Sequence, residues 1–223
     1  MPLEDFRSRL FLVMPQRMSS NEGDDFTAKF ASALAGGDIA CLLIDDEVTD
    51  ERAFHATMQP YVETAQSTNI AVLIRNDTRM AGRLDVDGVH LNDAKTLDLD
   101  DQRALHERGL IVGCGGLNTR HKVLETGERE VDYLFFGRTD RPIEADTHPK
   151  TKTLSLWSAQ MMAVPSVALA GASNEAFLEL AEGGVEFIAV REQVWNAENP
   201  GEAVRQFNLT LDKVAQQRKE AAA

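Results

Sequence analysis

Residues able to ligate a metal or move a proton stand at the ends of two neighbouring apolar runs. Asp77 closes "IRND" (Ile74 to Asp77), and His90 and Asp93 lie in "VDGVHLND" (Val86 to Asp93). If both runs are strands ending on the same side, Asp77, His90 and Asp93 converge on one spot. Carboxylates at Asp46, Asp77 and Asp93 would suit a hard cation such as Mg²⁺, which takes oxygen ligands. Asp also caps helices, and composition alone favours that use at strand-to-helix turns. His90 has the type for a base near neutrality. Its neighbours Val89 and Leu91 read as wall residues, so a satisfied core histidine is the plainer reading. Cys114 has no base beside it, and no zinc-type Cys/His spacing occurs.

A second group of candidates is cationic. The stretch "RTDRPIEADTHPK" carries Arg138, Arg141, His148 and Lys150 in an otherwise acidic chain. Such a loop fits a lid closing over an anionic ligand, and equally a solvated loop balancing local acid. Gly171, Ala172, Ser173 and Asn174 precede "EAFLELAEGG" and read as a helix N-terminus at the usual phosphate position of a barrel, with Ser173 as its cap. Arg191 and Glu192 follow the last apolar run.

What must position these residues is legible from the runs themselves. Eight occur: Leu10 to Met14, Ile39 to Ile44, Ile70 to Ile74, Gly88 to Leu91, Leu110 to Cys114, Tyr133 to Gly137, Ser166 to Gly171 and Phe187 to Val190. They are apolar throughout, as suits strands covered on both faces. Helical spacing links them, as in Phe26, Phe30 and Leu34, then Phe54, Met58 and Val62, and finally Val204, Phe207, Leu211 and Val214. Pro60 is expected to kink or split the second helix, and only short helices fit after Asp77 and around "TRHKVLETGE". Eight βα units predict an α/β fold, a single (β/α)8 TIM barrel over residues 1 to 223, with residues 218 to 223 fraying. Ligands then bind at the C-terminal ends of the strands. An open doubly wound sheet would want a glycine fingerprint after its first strand, and "MPQRMSSNEG" supplies none.

Charge narrows the partners. With 36 acidic against 23 basic residues, the formal charge is −13, which repels phosphate backbones and anionic lipids. No nucleic acid and no membrane surface is expected. The chain lacks an apolar run of roughly 20 residues, and its start has acid where a signal peptide wants base, so a cytoplasmic location is expected. Cys41 and Cys114 lie inside apolar runs, where a disulfide is not expected. Small ligands remain, with homo-oligomerisation left open.

The order of "RLFLVMPQ", "LIRND", "VDGVHLN", "LIVGCG", "VDYLFFG", "VPSVALAG" and "GGVEFIAV" resembles thiamine phosphate synthase and its thiazole tautomerase relatives, from about Leu10 to Val190. That resemblance implies a (β/α)8 transferase of thiamine biosynthesis. It would join hydroxymethylpyrimidine diphosphate to a thiazole phosphate with Mg²⁺ and release diphosphate. Asn76 and Asp77 match the family's Asn-Asp, the second of which binds the metal. Gly137 matches the glycine ending the sixth strand, and Gly171 the second of the phosphate-binding Gly-Gly. Joined with the strand-end reading, the candidate set is then Asp77 and Asp93 for metal, and Asn76, Arg138, Arg141, Lys150, Gly171, Ser173 and Arg191 for substrate and phosphate. The ligand would be a phosphorylated or cationic heterocycle.

Departures gather where the chemistry should be. The family's Gln-Leu-Arg-Glu-Lys at the second strand's end is Leu42 to Asp46 here, removing three diphosphate-binding side chains and reversing one sign. At an effective dielectric near 20, unit charges ~4 Å apart interact by ~4 kcal/mol, so the reversal opposes a diphosphate. Lys95 stands where a second metal carboxylate belongs, although Asp93 is two residues away. Gly115 replaces a serine, Ala170 the first glycine, Arg191-Glu192 a serine region, and Leu117 the tautomerase histidine. The alternative is therefore a catalytically altered or silent paralogue, serving as a binding or regulatory module or taking a less anionic substrate.

Overall fold

A computed structural model describes residues 6–16, 23–96 and 99–222. Strands and helices alternate along the chain: β1 (Arg9–Val13), α1 (Gly23–Leu34), β2 (Ile39–Ile44), α2 (Glu51–Ser67), β3 (Ala71–Arg75), α3 (Thr78–Leu84), β4 (Gly88–Leu91), α4 (Leu99–Glu107), β5 (Ile111–Cys114), α5 (Arg120–Gly127), β6 (Tyr133–Phe136), α6 (Pro149–Met161), β7 (Ser166–Leu169), α7 (Asn174–Glu182), β8 (Phe187–Val190), α8 (Glu192–Trp195) and α9 (Pro200–Ala222). Every strand pairs in parallel with its neighbour in sequence, and β1 pairs with β8, closing the expected (β/α)8 barrel. All eight apolar runs became strands.

The period of two within each strand sorts side chains into two layers. Leu10, Leu12, Leu42, Ile44, Val72, Ile74, Leu134, Phe136, Ile188 and Val190 face outward and pack with helical residues such as Phe30, Met58 and Val204. The alternate residues Phe11, Val13, Cys41, Leu43, Leu73, Tyr133, Phe135, Val167, Leu169 and Ala189 fill the barrel's interior. Each large apolar side chain so buried stabilises by roughly 1.5–3 kcal/mol. Phe11 meets the edges of Tyr133 and Phe135 at centroid separations of 5.6 and 5.9 Å. β5 gives its room to these rings: a Cβ on Gly113 would lie 1.8 Å from Tyr133 Cζ.

One local expectation is corrected. α2 runs unbroken through Pro60 for 17 residues, so the proline does not split it. The ring removes one amide bond, that to the Ala56 carbonyl, and Thr64 Oγ1 donates to the Pro60 carbonyl at 2.6 Å. α9 is helical to Ala222, and Ala223 lies outside the described residues. Arg218 ties it down, its guanidinium donating to the Ala181 and Glu182 carbonyls. Cys41 and Cys114 are free and buried, as expected. Among the described residues no helix is long and apolar enough to cross a membrane.

Candidate active site at the C-terminal mouth

The strand ends divide the mouth into a charged sector and a glycine-lined sector. On β2 and β3, Asp45 and Arg75 continue the inward-facing rows of Leu43 and Leu73. Arg75 Nε stands 3.3 Å from Asp45 Oδ1, and its terminal nitrogen 3.7 Å from Glu47 Oε1. Gln16, just past β1, donates to Asp45 Oδ2 at 3.0 Å and to the Thr139 carbonyl at 3.1 Å. Arg191, at the end of β8, is buried; its guanidinium donates to the Thr139 and Arg141 carbonyls and pairs with Glu192. The charges of Arg75 and Arg191 are thus met by neighbouring acceptors.

On the opposite side the strands end in Gly115, Gly137 and Gly171. There a cavity of about 500 Å³ opens between β5 to β7 and the β6–α6 loop, lined by Gly116, Leu117, Asn118, Gly137, Leu169, Ala170 and Gly171 from the barrel. The loop contributes Arg138, Arg141, Pro142, Ile143, Glu144, Asp146, His148 and Lys150. The cationic loop therefore does fold toward the mouth. Arg138 is committed to Asp140, at 2.9 and 2.5 Å, a contact that raises its pKa. Arg141 and Lys150 make no close ion pair among the described residues, although, after the Arg138 hydrogen bond, the Arg141 charge helps hold Asp140 below the usual carboxylate range.

Asn76 and Asp77 occupy the rim over β3. Asn76 adopts φ 53°, and its Oδ1 accepts from the Asn92 amide at 2.8 Å. That bond lashes the β3 and β4 turns together and brings Asp77 and Asp93 onto neighbouring turns. Each carboxylate already uses one oxygen locally: Asp77 Oδ1 caps α3 at Met80 N, 2.7 Å, and Asp93 Oδ1 accepts from Lys95 N at 3.0 Å. Asp93 Oδ2 lies 3.8 Å from Lys122 Nζ. Neither carboxylate lines the large cavity, and no group of three His, Cys, Asp or Glu suited to a metal occurs among the described residues.

His90 does not join Asp77 and Asp93. Its ring lies inside the barrel, 3% exposed, with Nδ1 2.8 Å from Tyr133 Oη and the two rings stacked at 5.7 Å. Burial, and secondarily the Arg75 charge, pushes its pKa down to about 3, so it stays neutral and is no base near neutrality. Burial likewise raises the Cys114 thiol to about 12, which removes it as a nucleophile. Ser173 is the α7 cap, accepting from Ala176 N at 3.1 Å. The three amides before α7 are already bonded: Gly171 N donates to Thr147 Oγ1, Ala172 N to the Glu144 carbonyl and Ser173 N to the Ala145 carbonyl, at 3.0, 2.7 and 2.9 Å.

Sequence reasoning missed Arg75, Gln16, Thr139 and Thr147. Arg75 carried a signal, since it follows Ala71 and Leu73 in the inward row of β3. The other three act through contacts across 24 to 123 residues of sequence, which no local pattern reveals.

A parallel barrel with its polar side chains and main cavity at the C-terminal ends of the strands is of the class that binds small ligands there. Residues 10–194 match the thiamine monophosphate synthase family, and the chain belongs to that family. It is 29% identical over 216 residues to the thiamine-phosphate synthase of Hyphomonas neptunium, covering 94% of this chain and 96% of the relative. With the thiamine-phosphate synthase of Rhodospirillum centenum it shares 30% identity over 209 residues, 91% and 97% of the two chains. The solved thiamine phosphate pyrophosphorylase of Pyrococcus furiosus superposes with a TM-score of 0.73 at 20% identity, over 95% and 98% of the chains, a likeness of fold.

Proposed function

We propose that this protein joins hydroxymethylpyrimidine diphosphate to a thiazole phosphate, giving thiamine phosphate and diphosphate. The near full-length alignment with thiamine-phosphate synthases carries the reading. In this reaction the pyrimidine's methylene carbon loses diphosphate, which leaves with the bonding electrons, and bonds to the thiazole. The protein's task is to hold two anionic ligands and offset departing negative charge. Arg141 and Lys150, with Arg138, are the cations facing the cavity, and Asn76, Gly171 and Ser173 complete the proposed substrate set. Arg191 serves through the loop it holds. The paralogue alternative is not favoured by these matches.

Mg²⁺ fits the rim in a limited sense. Asp77 keeps one carboxylate oxygen beyond its capping bond, and the second oxygen of Asp93 faces Lys122 at 3.8 Å; Mg²⁺ is commonly held by one or two carboxylates plus substrate phosphates and water. Bound there, the ion would supply positive charge against the diphosphate. The same reading places the protein in the cytoplasm, acting as one domain on small phosphorylated heterocycles.

The test is thiamine phosphate formation from the two substrates with Mg²⁺, read by thiochrome fluorescence alongside an authentic synthase. Product lost in Asp77→Asn supports the reading. No product from a cooperatively folded wild type sinks it.

A further inference from the structure

The loop between β6 and α6 crosses the mouth and is fastened on both sides. Toward β1 and β8, the Thr139 carbonyl accepts from Gln16 and Arg191, and the Arg141 carbonyl from Arg191 at 2.7 Å. Toward β7, Glu144, Ala145 and Thr147 receive the three amides that lead into α7. No space is left between: a Cβ on Gly171 would stand 2.3 Å from the Asp146 carbonyl carbon, 2.4 Å from the Ala145 oxygen and 2.5 Å from Thr147 N.

We propose that residues 138 to 148 form a self-occupying lid, latched by Arg191, whose own oxygens hold the three amides that lead into α7, so that an anion of the phosphate class reaches those amides only when residues 144 to 147 withdraw. The identity of the displacing ligand rests on the phosphate reading above; the latch rests on the contacts alone. An amide N–H makes one well-directed bond, so lid and anion compete at all three amides at once. The exchange is self-consistent in charge, because neutral carbonyl and hydroxyl oxygens stand where phosphate oxygens would. Arg191 is a positioning residue: it touches the lid's main chain and acts through Thr139 and Arg141. An anion's apparent affinity is then reduced by the fraction of molecules with the lid open, and loosening the latch raises both together.

Hydrogen exchange on the full chain tests this, with inorganic phosphate as the probe and wild type, Arg191→Gln and Thr147→Val compared. Both variants should speed exchange at residues 171 to 173 while strand protection is kept. Phosphate should bind them more tightly than wild type, by on the order of tenfold if the open fraction rises tenfold, and restore protection at those amides. Unchanged exchange at 171 to 173 in both variants would remove the latch. Phosphate binding wild type as tightly as the variants would make the loop part of the site and overturn competition. An opened lid with no phosphate protection would overturn the anion half, and the synthase assay reports on its parent reading separately. Should Arg191→Gln fail to melt cooperatively, Thr147→Val decides alone, since it removes only a hydroxyl acceptor.

Discussion

Asp45 and Arg75 face each other across adjacent strand ends, Oδ1 to Nε 3.3 Å, with the carboxylate side chain fully buried and the guanidinium 12% exposed. A carboxylate stands in the mouth at the end of β2, and the next strand supplies the cation that makes its burial tolerable. Taking one member away leaves the other charged and desolvated, which costs about 3–5 kcal/mol. Asp45→Asn and Arg75→Met should each lower stability by that order. The double variant Asp45→Leu/Arg75→Met should cost less than either, as urea unfolding of the set would reveal.

Acid should expose the His90 pair. The folded pKa is pushed down to about 3, whereas an unfolded histidine titrates near 6.5. Below that value the unfolded chain binds a proton the native barrel refuses, so stability present above about pH 6.5 is lost as pH falls toward 3. Linkage puts the loss at several kcal/mol at most. Urea midpoints between pH 7.5 and 4.5 should fall more steeply for wild type than for His90→Gln. Equal slopes would show that His90 is not the titrating group.

Removing the hydroxyl of Tyr133 should leave His90 Nδ1 buried without its partner. Tyr133→Phe should therefore cost about 1–3 kcal/mol with little change in shape. Calorimetric melting measures this, and a neutral result would mean that another donor reaches the ring.

Space inside the barrel is equally exacting at Gly113. An added methyl meets the Tyr133 ring at 1.8 Å, and that ring is wedged against Phe11 and His90. Gly113→Ala should destabilise by about 3 kcal/mol or more through overpacking. Gly109→Ala, with nothing within 4 Å of its added carbon but φ +76°, should cost about 1–2 kcal/mol of backbone strain. Thermal denaturation of the two variants separates crowding from strain.

Asp77 combines two roles that substitution can part. Asn caps helices about as well as Asp, whereas Ala does not. Asp77→Ala should lose about 1 kcal/mol of stability along with thiamine phosphate formation, and Asp77→Asn only the latter. Retained synthesis in Asp77→Asn would show that the carboxylate charge is not used.

The barrel was readable because each strand had to be covered on both faces, which leaves an uninterrupted apolar run such as Ile39 to Ile44, bounded by polar turns. The Asn76-Asp77 turn was readable for a related reason, since its residues act on their immediate surroundings. Asp77 caps the helix that follows it, and Asn76 reaches a turn 16 residues away. Arg191 was legible as a cation at a mouth, yet its use was not, because its acceptors are main-chain oxygens 50 and 52 residues earlier. Backbone carbonyls carry no residue type, so a loop held by them leaves no mark in the sequence. His90 was settled by its wall neighbours Val89 and Leu91, which place it in a strand, with its ring facing a tyrosine 43 residues on.

The pairing of β1 with β8 makes the ladder a ring, with Arg9 N donating to the Glu186 carbonyl at its seam. A ring has no first or last strand, and hence no row of unmet amides on which a foreign segment could template itself. For so short-stranded a sheet, circularity is its guard against amyloid-type growth: the barrel must come apart before any strand can be recruited by another chain.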